Sequence, residues 1–264
     1  MNMLRLVSIG MLIALLAGCG FIRGGLAYFQ SLDDFKELDG SGVYYEDGVR
    51  DIAVMIAKNI SYAISEVERK QHRPFIENVS VYVCSSRESF SKYSGAPEMA
   101  RGAVFNNKLF ISPRAAETGT ITGILVHELS HLQFHQYLGN RRYVSNIPPW
   151  FQEGLAVYVS DGGGAEKVSS DMAKESISSG HSFVPNDSGS VLFPRTAYSF
   201  GLDPQMFYRQ SSMFVGYLSD IYPLEFKNFM VLLFNDKEFK AAFEEAFGKS
   251  IDTAWQDFLG KLKA

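Results

Sequence analysis

His127-Glu128-Leu129-Ser130-His131 sets two imidazoles four residues apart with a carboxylate beside the first. Four residues is close to one turn of α-helix, so both rings lie on one face and can hold a single Zn²⁺. Glu128 is then placed to take a proton from a water on that metal. A catalytic zinc usually has three protein ligands and one open position. The third candidate lies 22 residues after His131, in Pro148-Pro149-Trp150-Phe151-Gln152-Glu153-Gly154-Leu155-Ala156. Glu153 is the only acid between Glu128 and Asp161, and apolar residues surround it. Two histidines and one glutamate form a plausible zinc donor set, one metal per chain.

Each of these side chains needs an element to hold it. Ile121, Leu125, Leu129 and Leu132 recur at the amphipathic helical period, and Gly139-Asn140 supplies a stop signal. A helix is therefore predicted over residues 118–138, with one apolar face in a core. His135 continues the four-residue series, but two turns rotate the face by about 80°, so a structural role is assigned to it. The two prolines end the loop before Glu153, and a helix starting after them puts Glu153 in its first or second turn.

The combination His-Glu-x-x-His with Trp-Phe-Gln-Glu-Gly-Leu-Ala resembles the gluzincin zinc metallopeptidases, most closely the catalytic domain of aminopeptidase-N-like enzymes and their small relatives. Those carry Trp-Leu-Asn-Glu-Gly-Phe-Ala, with the Glu as third ligand. The resemblance covers roughly residues 76–218. It implies a thermolysin-like α+β domain in which His127, His131 and Glu153 bind Zn²⁺ and Glu128 is the general base. It also implies a role for Tyr208, which opens Tyr-Arg-Gln-Ser-Ser-Met-Phe. In the family a Tyr at a similar place, at the start of a helix, hydrogen-bonds the oxyanion of the tetrahedral intermediate. A phenol donates at neutral pH without having to lose its proton.

Gly102-Ala103-Val104-Phe105-Asn106 resembles the Gly-Ala-Met-Glu-Asn strand with which these aminopeptidases line the cleft. On that resemblance Gly102, Ala103, Val104 and Phe105 are candidate substrate contacts, pairing with a peptide through main-chain hydrogen bonds. In the family the Glu grips the substrate's free amine; here Phe105 replaces it. The change favours an endopeptidase over an aminopeptidase. Strand alternation leaves open whether Phe105 faces substrate or packs inward.

The N-terminus has one charge, Arg5, then Leu12-Ile13-Ala14-Leu15-Leu16, and reads as a signal peptide over residues 1–18. The stretch is short for a transmembrane helix. Its Leu16-Ala17-Gly18-Cys19 ending resembles a bacterial lipobox, which implies lipid on Cys19 and cleavage before it. Residue 20 is Gly and not Asp. That favours an outer-membrane anchor facing the periplasm if the source is Gram-negative. Residues 19–40 read as a tether and 41–264 as the metallopeptidase domain. With Cys19 lipidated, Cys84 is the remaining thiol, buried in an apolar strand.

About 246 residues remain after residue 18, enough for one or two domains and a substantial core. The net charge of −4 and the absence of a basic cluster exclude a nucleic-acid partner and leave a peptide or protein substrate and the membrane. Helices are expected over 49–70, 206–221, 224–234, 238–247 and 251–262, and strands over 76–84 and 103–111. Residues 161–190, with Gly162-Gly163-Gly164, read as a flexible loop: a lid or substrate rim, or, the favoured reading, a surface insertion. A protein of another class stands beside the peptidase: a lipoprotein that uses the same fold to bind peptides or assist envelope assembly, with little turnover.

Overall fold

The computed structural model describes residues 27–117 and 121–263. It is mixed α/β, compatible with α+β: ten helices lie among the described residues, with one five-stranded sheet. The described residues fall into two compact units, one within Met1–Lys58 and Val79–Gly119, the other within Asn59–Asn78 and Thr120–Ala264. Signal residues 1–18 and Cys19 lie outside the described residues.

The first unit is the sheet. Its strands are β1 (Lys36–Glu37), β2 (Val43–Tyr45), β3 (Val81–Val83), β4 (Gly102–Phe105) and β5 (Lys108–Ile111), in the order β1-β2-β3-β5-β4. β2, β3 and β5 run parallel, and the outer strands pair antiparallel. The strand expected over 76–84 is only Val81–Val83; Ile76 and Glu77 instead give their amides to Gln136 Oε1, at 3.0 and 3.1 Å. The strand expected over 103–111 is a hairpin. Asn106 and Asn107 both take positive φ, 47° and 58°, and pair Phe105 opposite Lys108. Two consecutive left-handed residues are what a type I′ turn requires, and Asn tolerates that conformation better than most side chains.

One face of this sheet covers an aromatic cluster of Phe35, Tyr82, Cys84, Phe90, Tyr93 and Phe110. Helix α2 (Arg87–Ser94) supplies Phe90 and Tyr93; α3 (Arg114–Glu117) follows β5. Phe35 stands just before β1, so the residues expected to form a tether end inside the sheet's core. The Cys84 thiol is buried, and burial pushes its pKa well above the ordinary thiol range, so it stays protonated. Helix α1 (Arg50–Gln71) buries Ala53, Ile56, Ile60, Ala63 and Val67, a stripe at helical spacing.

The second unit is helical. α4 (Ile121–Asn146) carries both histidines, α5 (Pro149–Val159) carries Glu153, and α6 (Ser170–Ser178) lies in the segment read as a loop. α7 (Pro204–Ile221), α8 (Pro223–Phe234), α9 (Phe239–Phe247) and α10 (Ile251–Lys263) follow at the expected places. Trp150 on α5 sits at the hub of their core, its ring centroid 5.3 Å from Phe214, 5.9 Å from Phe239 and 6.0 Å from Phe183. α5 and α7 approach closely at Gly154, where a Cβ would come within 2.8 Å of the Ser211 main chain. Only glycine admits that separation. It brings the helix of Glu153 against the helix of Tyr208. Among the described residues no helix is long and apolar enough to cross a membrane.

Candidate metal centre

Leu125, Leu129 and Leu132 are buried, so the apolar stripe of α4 anchors the helix and His127 and His131 project together on a neighbouring face. Their Nε2 atoms lie 3.2 Å apart. α5 starts with Pro149 at its first position, where a missing N–H costs nothing, and Glu153 falls in its second turn. Glu153 Oε2 lies 3.5 Å from His127 Nε2 and 4.0 Å from His131 Nε2. These three are the group of metal-ligating side chains found among the described residues, with donor atoms all within 4.8 Å of one another.

The donor set fits a divalent metal. Ligands at about 2.0–2.1 Å around a tetrahedral ion stand about 3.3 Å apart, near the separations seen here. Two neutral imidazoles and one carboxylate also offer the mixed nitrogen and oxygen character that zinc accepts.

Both imidazoles are oriented from behind. His127 Nδ1 lies 2.9 Å from the Gly163 carbonyl, which can only accept, so Nδ1 carries a hydrogen and Nε2 is the nitrogen turned to the donor group. His131 Nδ1 meets the Tyr143 hydroxyl at 2.7 Å. The helix expected to stop at Leu138 does break there: Gly139 takes φ 68° and ψ 161°. The chain then resumes as a further helical stretch to Asn146. This turn brings Tyr143 back beside His131, and its ring also lies 4.7 Å from that of His135. His135 is outside the donor group, as its rotation on the helix requires.

The electrostatics are those of a carboxylate among imidazoles. Burial pushes Glu153 up, but the hydrogen bond from His127 and the two rings outweigh it and hold the carboxyl below its usual value. Burial pushes His127 down; Glu153, Glu128 and the Gly163 carbonyl more than reverse this. His131 has fewer such partners, and burial lowers it to about 4, so it is neutral at pH 7. A neutral imidazole is the ligating form.

Glu128 is half-buried and lies within charge range of His127, Tyr143 and Tyr208, raising the pKa of each. It is not among the grouped donors. Tyr208 lies in the second turn of α7, after the Asp203 cap, whose Oδ1 accepts from the Gln205 amide at 2.9 Å. Its ring centroid is 6.5 Å from that of His127, and its phenol lies in the field of the Glu153 carboxylate. The charge of Glu153, then burial, drives the phenol's pKa far above neutrality, so Tyr208 remains a donor. The structure thus brings His127, Glu128, His131, Glu153 and Tyr208 together.

The candidate substrate strand, Gly102, Ala103, Val104 and Phe105, is β4, an edge of the sheet in the first unit. Ala103 and Phe105 are half-buried and pack against the aromatic cluster.

Gly162, Gly163 and Gly164 correct the sequence reading more sharply. All three are buried, where a flexible surface loop was expected. A Cβ on Gly163 would come 2.5 Å from the Gly123 carbonyl oxygen, and one on Gly164 2.8 Å from the His127 ring. The run is glycine because Gly163 and Gly164 pack their backbone directly on the helix that carries His127, and because Gly162 and Gly164 take positive φ, 104° and 93°. Tyr143 and Gly163, the partners of the two ring Nδ1 atoms, are the functional groups the sequence reading missed. No family model matches the chain, and no curated protein does.

Proposed function

We propose that this chain is a zinc-dependent metallopeptidase of gluzincin type, acting as an endopeptidase. The observation that carries the reading is the convergence of His127 Nε2, His131 Nε2 and Glu153 Oε2 from two helices, with the Tyr208 phenol in the field of the same carboxylate. His127, His131 and Glu153 would hold the zinc. A bound zinc supplies a Lewis acid that acidifies water and polarises a carbonyl. Glu128 takes the proton from the attacking water and returns it to the departing amine. Tyr208, kept protonated, donates a hydrogen bond to the oxyanion as negative charge develops. The reaction needs no covalent enzyme intermediate. The absence of a carboxylate at Phe105 supports internal cleavage over removal of N-terminal residues.

A mixed peptide library, presented in free and N-acetylated forms to the zinc-loaded full-length protein, tests this. Acetylated peptides are expected to be cut at least as well as free ones. A strong requirement for the free amine would overturn the endopeptidase assignment. Binding without cleavage would leave the protein a peptide-binding lipoprotein of the cell envelope.

The anchor is proposed from sequence alone: lipidation at Cys19 holds the protein in a bacterial cell envelope, on the periplasmic side of the outer membrane if the source is Gram-negative. A labelled fatty acid should mark the wild type and not Cys19→Ala. An unlabelled wild type would refute lipidation.

A further inference from the structure

Arg209 follows Tyr208 on α7 and spends its guanidinium on main chain. Nε donates to the Val168 carbonyl at 2.8 Å and Nη2 to the Ala165 carbonyl at 3.1 Å. The fork also lies against Gly162, whose φ is +104° and where a Cβ would come 2.9 Å from Nη2. The two bonds leave from two nitrogens of one rigid fork, whereas an ammonium has to donate from a single nitrogen. The segment so clamped, residues 162–168, contains Gly163. The Gly163 carbonyl accepts from His127 Nδ1 at 2.9 Å and from Ser160 Oγ at 3.2 Å. The Gly164 amide is itself held by Glu166 Oε1 at 3.0 Å. An unbroken set of contacts therefore runs from α7 through Arg209 and the glycine turn to the ring of His127.

We propose that Arg209 is a positioning residue for the metal centre: by clamping the 162–168 turn it fixes the Gly163 carbonyl, and with it the Nδ1–H tautomer and ring plane of His127. The proposal rests on the reading of His127 as a metal ligand. Partners of this kind set which imidazole nitrogen is free to ligate and how it is aimed. Tyr208 and Arg209 are neighbours on one helix, so the placement of α7 governs both the oxyanion donor and the orientation of a ligand on another helix. Gly162 makes the clamp possible, since any side chain there would push the guanidinium off the turn.

Arg209→Met keeps the length and apolar stem of the side chain and removes its donors; Arg209→Lys restores one donating head. Each is made in the full-length protein, with Gly162→Ala as a third variant that crowds the guanidinium and, at φ +104°, also strains the turn itself. Zinc affinity is read by competition with a chromophoric chelator. The His127 tautomer is read in the metal-free protein by long-range ¹H–¹⁵N correlation, at a pH high enough for the ring to be neutral. Arg209→Met and Gly162→Ala are expected to bind zinc about 10- to 100-fold more weakly than wild type, the usual effect of losing an outer partner, with Arg209→Lys in between. Wild type should show the Nδ1–H form of His127, and the variants a mixture.

A purely structural arginine would lower the melting midpoint while leaving both the zinc affinity of the folded protein and the tautomer unchanged; that result overturns the proposal. Should Arg209→Met fail to fold, Arg209→Lys and Gly162→Ala decide by the same two readouts. A wild type that binds no zinc would refute the metal reading. The tautomer comparison would still judge the clamp, standing if the variants lose the Nδ1–H form and falling if they keep it.

Discussion

Glu128→Gln should keep its zinc and its fold and lose hydrolysis by about 10²–10⁴-fold, the usual worth of a positioned general base. The amide has the size and hydrogen-bonding reach of the carboxylate but cannot accept a proton from water at neutral pH. Glu128 is not in the donor group, so metal content should hold at the wild-type level. The rest of the site changes in one direction only. The charge of Glu128 helps to raise the pKa of His127 and Tyr208. Without it His127 is easier to deprotonate, which favours ligation, and Glu153 still keeps the phenol protonated. A rate near that of the wild type, measured on the same peptide with equal metal occupancy, would take Glu128 out of the mechanism. A loss of zinc would make it a ligand or a prop instead.

How much of this was readable in the chain depended on whether the signal was local. The His-Glu-x-x-His helix and the Glu153 helix were, because a helical period, a glycine stop and a proline start are written in consecutive residues. Tyr143 was not. It reaches His131 only because Gly139 breaks the helix and the chain doubles back, and nothing near Tyr143 in sequence states that geometry. The three glycines were visible and misread. Glycine marks a mobile loop, a positive φ or a close approach, and only the burial of Gly162–Gly164 against Gly123, His127 and Arg209, with positive φ at Gly162 and Gly164, shows that the last two apply.

The short strands failed for a related reason. β1 and β2 have two and three residues, too few for alternation to register, and exist through pairing across the sheet. Two of the misses had local signals that could have been used. Asn106-Asn107 is a turn dipeptide inside an apparently continuous apolar run. Ser169 caps α6 through the Met172 amide, and Ala173 and Ile177, four apart, are its buried face.

Removing a single ligand should have the largest effect on metal binding. Structural zinc sites bind with about 10–16 kcal/mol over four ligands, so one ligand is worth about 3 kcal/mol, on the order of 100-fold in affinity. His127→Ala, His131→Ala and Glu153→Ala should each weaken zinc by at least that much. Glu153 has the further effect of supplying the only carboxylate in the grouped donors. Its loss leaves two buried neutral rings and no carboxylate to offset the metal's charge, and it also removes the charge that does most to keep Tyr208 protonated. The effect is read thermally as well as by metal analysis. A ligand that binds only the folded state stabilises it by about 4 kcal/mol at a thousand times its dissociation constant. Zinc at a thousand times the wild-type dissociation constant should therefore raise the melting midpoint of the wild type by several degrees and those of the three variants by about a third as much or less. A wild type whose midpoint ignores zinc, and which is purified without metal under zinc-replete conditions, would end the metallopeptidase reading. Equal rises in all four proteins would place the zinc somewhere other than between α4 and α5.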